Sequence, residues 1–103
     1  MTINHNYYLD LAFRIAEANL GQTKLNPSVG TVIVKNGAVI SSGVTSLKGR
    51  PHSEFNALNN LKNCSGATLY TTLEPCTHYG KTPPCTNIIV KKKIKNVFYA
   101  FED

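Results

Sequence analysis

The 103-residue chain predicts an α/β domain of three layers, α/β/α, in which a mixed sheet carries helices on its faces. Three observations lead there. Apolar residues near the N-terminus recur at helical spacing, a β-branched run is closed by Asn36-Gly37, and strand-like and helix-like stretches alternate from residue 67 to residue 101.

From Tyr7 to Leu20 the residues Tyr8, Leu11, Ile15 and Ala18 fall on one helical face, and Gly21 is placed to end the helix. Asn26-Pro27 then requires extended or turn backbone. Val32-Ile33-Val34 and Val39-Ile40 flank Asn36-Gly37, a pair that takes the positive φ angles of a type I′ hairpin turn. The first arm is apolar on both faces, as a strand covered on both sides should be. After Pro51, the stretch from Ser53 to Leu61 places Phe55, Leu58 and Leu61 at helical spacing, although three asparagines weaken its propensity. Ala67 to Leu73 reads as a strand, Pro83-Pro84 suits a helix start, and Asn96 to Phe101 supplies a last strand. Ile88-Ile89-Val90 between them reads as helix, because a βαβ unit needs one there. The order is helix, hairpin, helix, strand, helix, strand. Such a sheet would often continue, so the chain reads as one domain over residues 1–103, incomplete at its C-terminus.

Composition is that of an ordinary globular domain, with 42% hydrophobic and 17% charged residues, which excludes a disordered chain. No apolar run approaches the roughly 20 residues of a membrane helix, and Met1 to His5 lacks a signal pattern, so the cytoplasm is the expected location and no membrane partner is expected. Net charge is +5. Lys91, Lys92, Lys93 and Lys95 supply a local excess, but no aromatic residues interleave with them as stacking platforms for nucleic acid would. Lysines at a helix end, near its negative pole, are the plainer reading. Three cysteines make a poor disulfide framework; Cys64 reads as a structural core residue.

The chemistry concentrates in two segments, Pro51-His52-Ser53-Glu54 and Pro75-Cys76 through Pro83-Pro84-Cys85, each at a predicted helix start. Imidazole and two thiolates are good zinc ligands, and three protein ligands leave a fourth position for water, as a catalytic site requires. His52 and Glu54 are two residues apart, so on a regular helix they would diverge. Both can face one metal only where a helix is entered from extended backbone, which Pro51 favours. Helix N-termini near the ligands would also favour thiolates. Taken singly, His52 would more often be a satisfied histidine, the cysteines core residues, and Glu54 a first-turn acid. Taken together with both prolines they point to Zn2+ activating a water, with Glu54 moving protons without binding the metal. The combination follows the His-x-Glu and Pro-Cys-x-x-Cys arrangement of zinc deaminases, except that eight residues separate Cys76 from Cys85.

That longer loop carries a resemblance. Leu73-Glu74-Pro75-Cys76-Thr77-His78-Tyr79-Gly80-Lys81-Thr82-Pro83-Pro84-Cys85 closely resembles the deaminase domain of the bifunctional riboflavin biosynthesis deaminase/reductase, a member of the cytidine deaminase-like superfamily. Asn26-Pro27-Ser28-Val29-Gly30 is similar to that family's Asn-Pro-x-Val-Gly, and Gly49-Arg50-Pro51-His52-Ser53-Glu54 to its Gly-x-x-His-Ala-Glu, with Ser53 where alanine is usual. The resemblance implies the cytidine deaminase-like fold and a phosphorylated pyrimidine substrate, the diaminopyrimidinone ribosylamino 5′-phosphate, deaminated by zinc-bound hydroxide. It implies metal ligands at His52, Cys76 and Cys85, the proton shuttle at Glu54, and substrate contacts at Asn26, His78 and Lys81. Read by themselves, the last three are a turn residue, a loop-bracing histidine and a solvated lysine. Gly43-Val44-Thr45 departs from the Gly-x-His of many relatives, so one substrate contact is expected to be weaker or made differently. The family's further strand and helix, and its reductase domain, have no counterpart here, so reduction would come from a missing domain or a separate chain.

Two rivals stand beside this reading. A deaminase of cytosine or adenine, free or in nucleic acid, would use the short Cys-x-x-Cys spacing, which disfavours a nucleic-acid partner. A zinc-stabilised scaffold without catalysis would have had no need to keep Glu54. Oligomeric state is open, a homo-oligomer included.

Overall fold

The computed structural model describes residues 3–24, 27–77 and 83–102. Its elements follow the expected order: α1 (His5–Ala16), β1 (Gly30–Lys35), β2 (Ala38–Val44), α2 (Ser53–Leu58), β3 (Thr68–Leu73), α3 (Cys85–Lys91) and β4 (Asn96–Phe101). The sheet order is β2-β1-β3-β4. β1 runs antiparallel to both neighbours, while β3 and β4 are parallel and joined by α3. The mixed sheet, with α1 on one face and α2 and α3 on the other, is the three-layer α/β/α arrangement that the sequence predicts.

Each boundary has a local cause. α1 begins at His5 rather than Tyr7 because the Asn4 side chain accepts the Tyr7 N–H at 3.1 Å, an N-cap the apolar spacing alone does not reveal. It ends at Ala16, passes into one 3₁₀ turn at Glu17–Asn19, and Gly21 follows at φ +79°. Ala18 is consequently exposed rather than on the packed face, and Ala12 and Ala16 are the buried pair. The hairpin turn places Asn36 at φ +53° and Gly37 at φ +78°, as a type I′ turn needs. α2 is shorter than expected, stopping at Leu58 where Asn59 and Asn60 follow, and Phe55 is exposed rather than part of its packed face.

Alternation along the strands sorts two cores. Val32, Val34 and Tyr70 face α1, where Ala12 is fully buried. Ile33 and Leu69 face α2 and α3 with Ala57, Leu58, Cys64 and Ile89. Cys64, 1% exposed, is the core residue its lack of a partner motif suggests. β1 is buried through Val34 because helices cover both of its faces. Lys92 closes the far end of α2: its Nζ donates to the carbonyls of Leu61 (2.5 Å) and Asn59 (3.5 Å), capping the exit of that helix. Among the described residues no helix is long and apolar enough to cross a membrane.

Candidate metal centre

The site is assembled where α2 and α3 begin. His52 sits at the N-cap of α2 with extended backbone (φ −72°, ψ 165°), so its ring leaves the chain before the helix constrains it, and Glu54 follows inside the first turn. Cys85 opens α3 directly after Pro84. Cys76 lies beyond the end of β3, and its Sγ accepts the Cys85 backbone N–H at 3.1 Å, one of the donors that a helix start leaves without an internal partner.

Close packing of α2 on β2 sets this geometry. A Cβ at Gly43 would lie 2.5 Å from both Ala57 N and Ser53 O, so only glycine admits the helix at this distance. Asn56 Nδ2 donates to Val44 O (2.7 Å) and Ser46 Oγ (2.9 Å), bracing the connection between strand and helix. Thr45 is 1% exposed and bonded to Val29: its Oγ1 accepts the Val29 N–H at 2.9 Å. It secures the start of β1.

The potential ligand atoms of His52, Cys76 and Cys85 lie within 4.8 Å of one another, and no fourth His, Cys, Asp or Glu among the described residues joins them. His52 Nδ1 is 3.7 Å from Cys76 Sγ and 3.5 Å from Cys85 Sγ. About a tetrahedral zinc, bonds of about 2.3 Å to sulfur and 2.0–2.1 Å to nitrogen would set such atoms ~3.6 Å apart. The spacing therefore fits that ion. Burial, then the charge of Glu54, then Cys76 push the Cys85 thiol well above its usual range. A cation at this place would be what turns that thiol into a thiolate ligand.

Glu54 is 4% exposed and stands outside the ligand group. Burial raises its pKa, and the hydrogen bond from Ser53 Oγ to Oε1, at 2.6 Å, opposes that rise. Behind it, Ser53 Oγ is 2.8 Å from Thr31 Oγ1, which is 3.1 Å from Thr71 Oγ1. A sequence reading centred on Val32-Ile33-Val34 passes over Thr31; the available signal is a hydroxyl inside an otherwise apolar central strand. A groove of about 550 Å³ opens on His52 and Cys85 and runs between Phe55 and Ile88 toward Lys91. Asn26, His78 and Lys81 lie outside the described residues.

Comparison with known proteins now defines the class. Residues 2–101 match the cytidine and deoxycytidylate deaminase zinc-binding region, and the chain belongs to that family. Within it, the chain is 47% identical over 98 residues to the riboflavin biosynthesis protein RibD of Bacillus amyloliquefaciens, covering 94% of this chain and 26% of the relative. It is 41% identical to the diaminohydroxyphosphoribosylamino-pyrimidine deaminase of Buchnera aphidicola subsp. Schizaphis graminum, covering 94% of this chain and 67% of that protein. Among solved structures, the deaminase/reductase of Thermotoga maritima superposes with a TM-score of 0.89 at 38% identity, covering 96% of this chain and 30% of the other. The guanine deaminase of Bacillus subtilis superposes with a TM-score of 0.74 at 31% identity, covering 97% and 66%. The chain thus spans about a quarter of the length of the RibD proteins it matches.

Proposed function

We propose that this chain, as a single deaminase domain over residues 1–103, hydrolytically deaminates the diaminopyrimidinone ribosylamino 5′-phosphate of riboflavin synthesis. The observation that carries the reading is the zinc-like spacing of His52, Cys76 and Cys85 beside a buried carboxylate that is not one of the ligands. The names of its relatives supply the substrate class: the Buchnera protein is called a deaminase of this kind of pyrimidine.

His52, Cys76 and Cys85 would hold Zn2+, which when bound lowers the pKa of water to about 7 and so supplies a nucleophile at neutral pH. The reaction exchanges a ring amino group for oxygen: water adds at the amino-bearing carbon and ammonia departs. Glu54 takes the proton that water gives up, delivers it to the ring nitrogen, and passes a proton to the departing amine. Its burial keeps bulk water away from these transfers. Lys81 would meet the 5′-phosphate as a compact cation, and Asn26 and His78 would make further substrate contacts. Reduction of the product belongs to another segment or another chain. Free thiol ligands suit the reducing cytoplasm.

Ammonia release from this substrate, with zinc content measured on the same sample, tests the assignment. About one zinc per chain is expected, and Glu54→Gln should retain the metal while kcat falls at least about 100-fold. Turnover undiminished in Glu54→Gln would refute the shuttle. The likeness to guanine deaminase supports a second reading, a nucleobase deaminase. Guanine or deoxycytidylate outcompeting the phosphorylated pyrimidine would favour it, and bound zinc with no ammonia from any of them would favour a scaffold.

A further inference from the structure

The hydroxyls behind Glu54 form a buried group of short contacts. Ser53 and Thr71 are fully buried, as is Thr31 between them. Three contacts link Thr71, Thr31, Ser53 and Glu54, at 3.1, 2.8 and 2.6 Å in that order. A hydroxyl has one proton to give. Ser53 gives its proton to Glu54 Oε1, and Thr31 gives its own to Thr71, while the Thr31 and Ser53 oxygens approach to 2.8 Å. The bond from Ser53 ends on a carboxylate, where hydrogen bonds are strongest.

Where these groups sit rules out a mere surface decoration. Thr31 and Thr71 are paired across the two central strands, and Ser53 is the first residue of α2. The group therefore ties the helix that carries Glu54 to the stiffest part of the sheet.

We infer that Ser53, held against Thr31 of the central strand, is a positioning residue that fixes the Glu54 carboxylate in one orientation beside the metal centre. This rests on the assignment of Glu54 as proton carrier made above. A carboxylate held by a hydrogen bond at Oε1 loses less orientational freedom on reaching the transition state, so the effect belongs in kcat rather than in substrate affinity.

A double-mutant cycle of Ser53→Ala and Thr31→Val, on zinc-loaded protein, tests it. Ser53→Ala should keep its zinc and its KM and lose about tenfold in kcat, the scale of one hydrogen bond to a charged group. Thr31→Val should lose less, and the double variant no more than Ser53→Ala, because Thr31 acts through Ser53. Losses that multiply, or a wild-type kcat in Ser53→Ala, overturn the inference. Crystal structures of the zinc-loaded wild type and Ser53→Ala give a readout independent of turnover. One Glu54 rotamer in the first and several in the second supports the inference; the same single rotamer in both overturns it. Should the wild type bind zinc and release no ammonia, the proposed function fails while the rotamer comparison still decides the role of Ser53.

Discussion

Tyr70 shows how much a single side chain can fasten. It is 1% exposed in the core beneath α1, its hydroxyl lies 2.6 Å from His5 Nδ1, and its ring stacks on Phe98. Burial first, and Tyr8 second, raise its pKa above the usual 10. The folded chain therefore holds the proton at pH values where the unfolded chain has released it. That contribution to stability is complete below pH 10 and is lost as pH rises beyond it. Tyr70→Phe, lacking the proton, should show a shallower alkaline decline in its urea midpoint between about pH 9 and 11 than the wild type; equal slopes would contradict this account. At the same scale, the residues of the site differ in how legible they are in the sequence. His52, Glu54, Cys76 and Cys85 stand out because their types and spacing are rare in combination. Thr31 and Thr71 do not, since a threonine in a strand ordinarily signals nothing more than β-propensity. Thr45 could be recognised as a departure, but its inward bond to Val29 depends on contacts that only the folded chain creates.

At the scale of elements, two glycines mark where helices lie against strands. A Cβ at Gly43 would strike Ser53 O and Ala57 N in α2, and one at Gly30 would come within 1.9 Å of Ala12 O in α1. Each substitution to alanine must push its helix outward, at a cost of about 1–3 kcal/mol. Their consequences should separate. Gly43→Ala moves the helix that carries Glu54 and follows His52, so zinc affinity should fall along with stability. Gly30→Ala moves α1 on the opposite face, so stability should fall with zinc affinity unchanged. Metal titration and thermal melts of the two variants check this, and equal zinc affinity in both would refute it. Element type and order were readable because the periodicities of α1, the hairpin and β3-α3-β4 are strong. Ends were less so: Asn4 capping α1 and Asn59 closing α2 are hydrogen-bonding choices that apolar spacing does not encode.

For the whole molecule, the two cores lie on opposite faces of a four-stranded sheet, and the ligands come from the helix side that holds α2 and α3. An ion bound there joins three chain segments that otherwise meet through a few contacts. At a thousandfold excess of zinc over its Kd, binding adds about 4 kcal/mol to stability. For a domain of this size that is a melting point at least about 10 °C above that of the chelated protein. Cys76→Ser should reduce this zinc dependence sharply. A melting point unmoved by chelation would mean that the ion is held too weakly to matter to the fold. The mixed direction of the sheet followed from an Asn-Gly hairpin joined to a βαβ unit, whereas the order, with β1 rather than β2 beside β3, is decided by packing that neither motif encodes.

Lys92 gives this arrangement one more property. It latches the exits of α2 and α3, while His52 and Cys85 occupy their entrances. The two helices are thus pinned at the back like tweezers, with His52 and Cys85 at the tips. Stripping metal from the protein should therefore leave the joined ends together, so that refilling the site asks little of the rest of the fold.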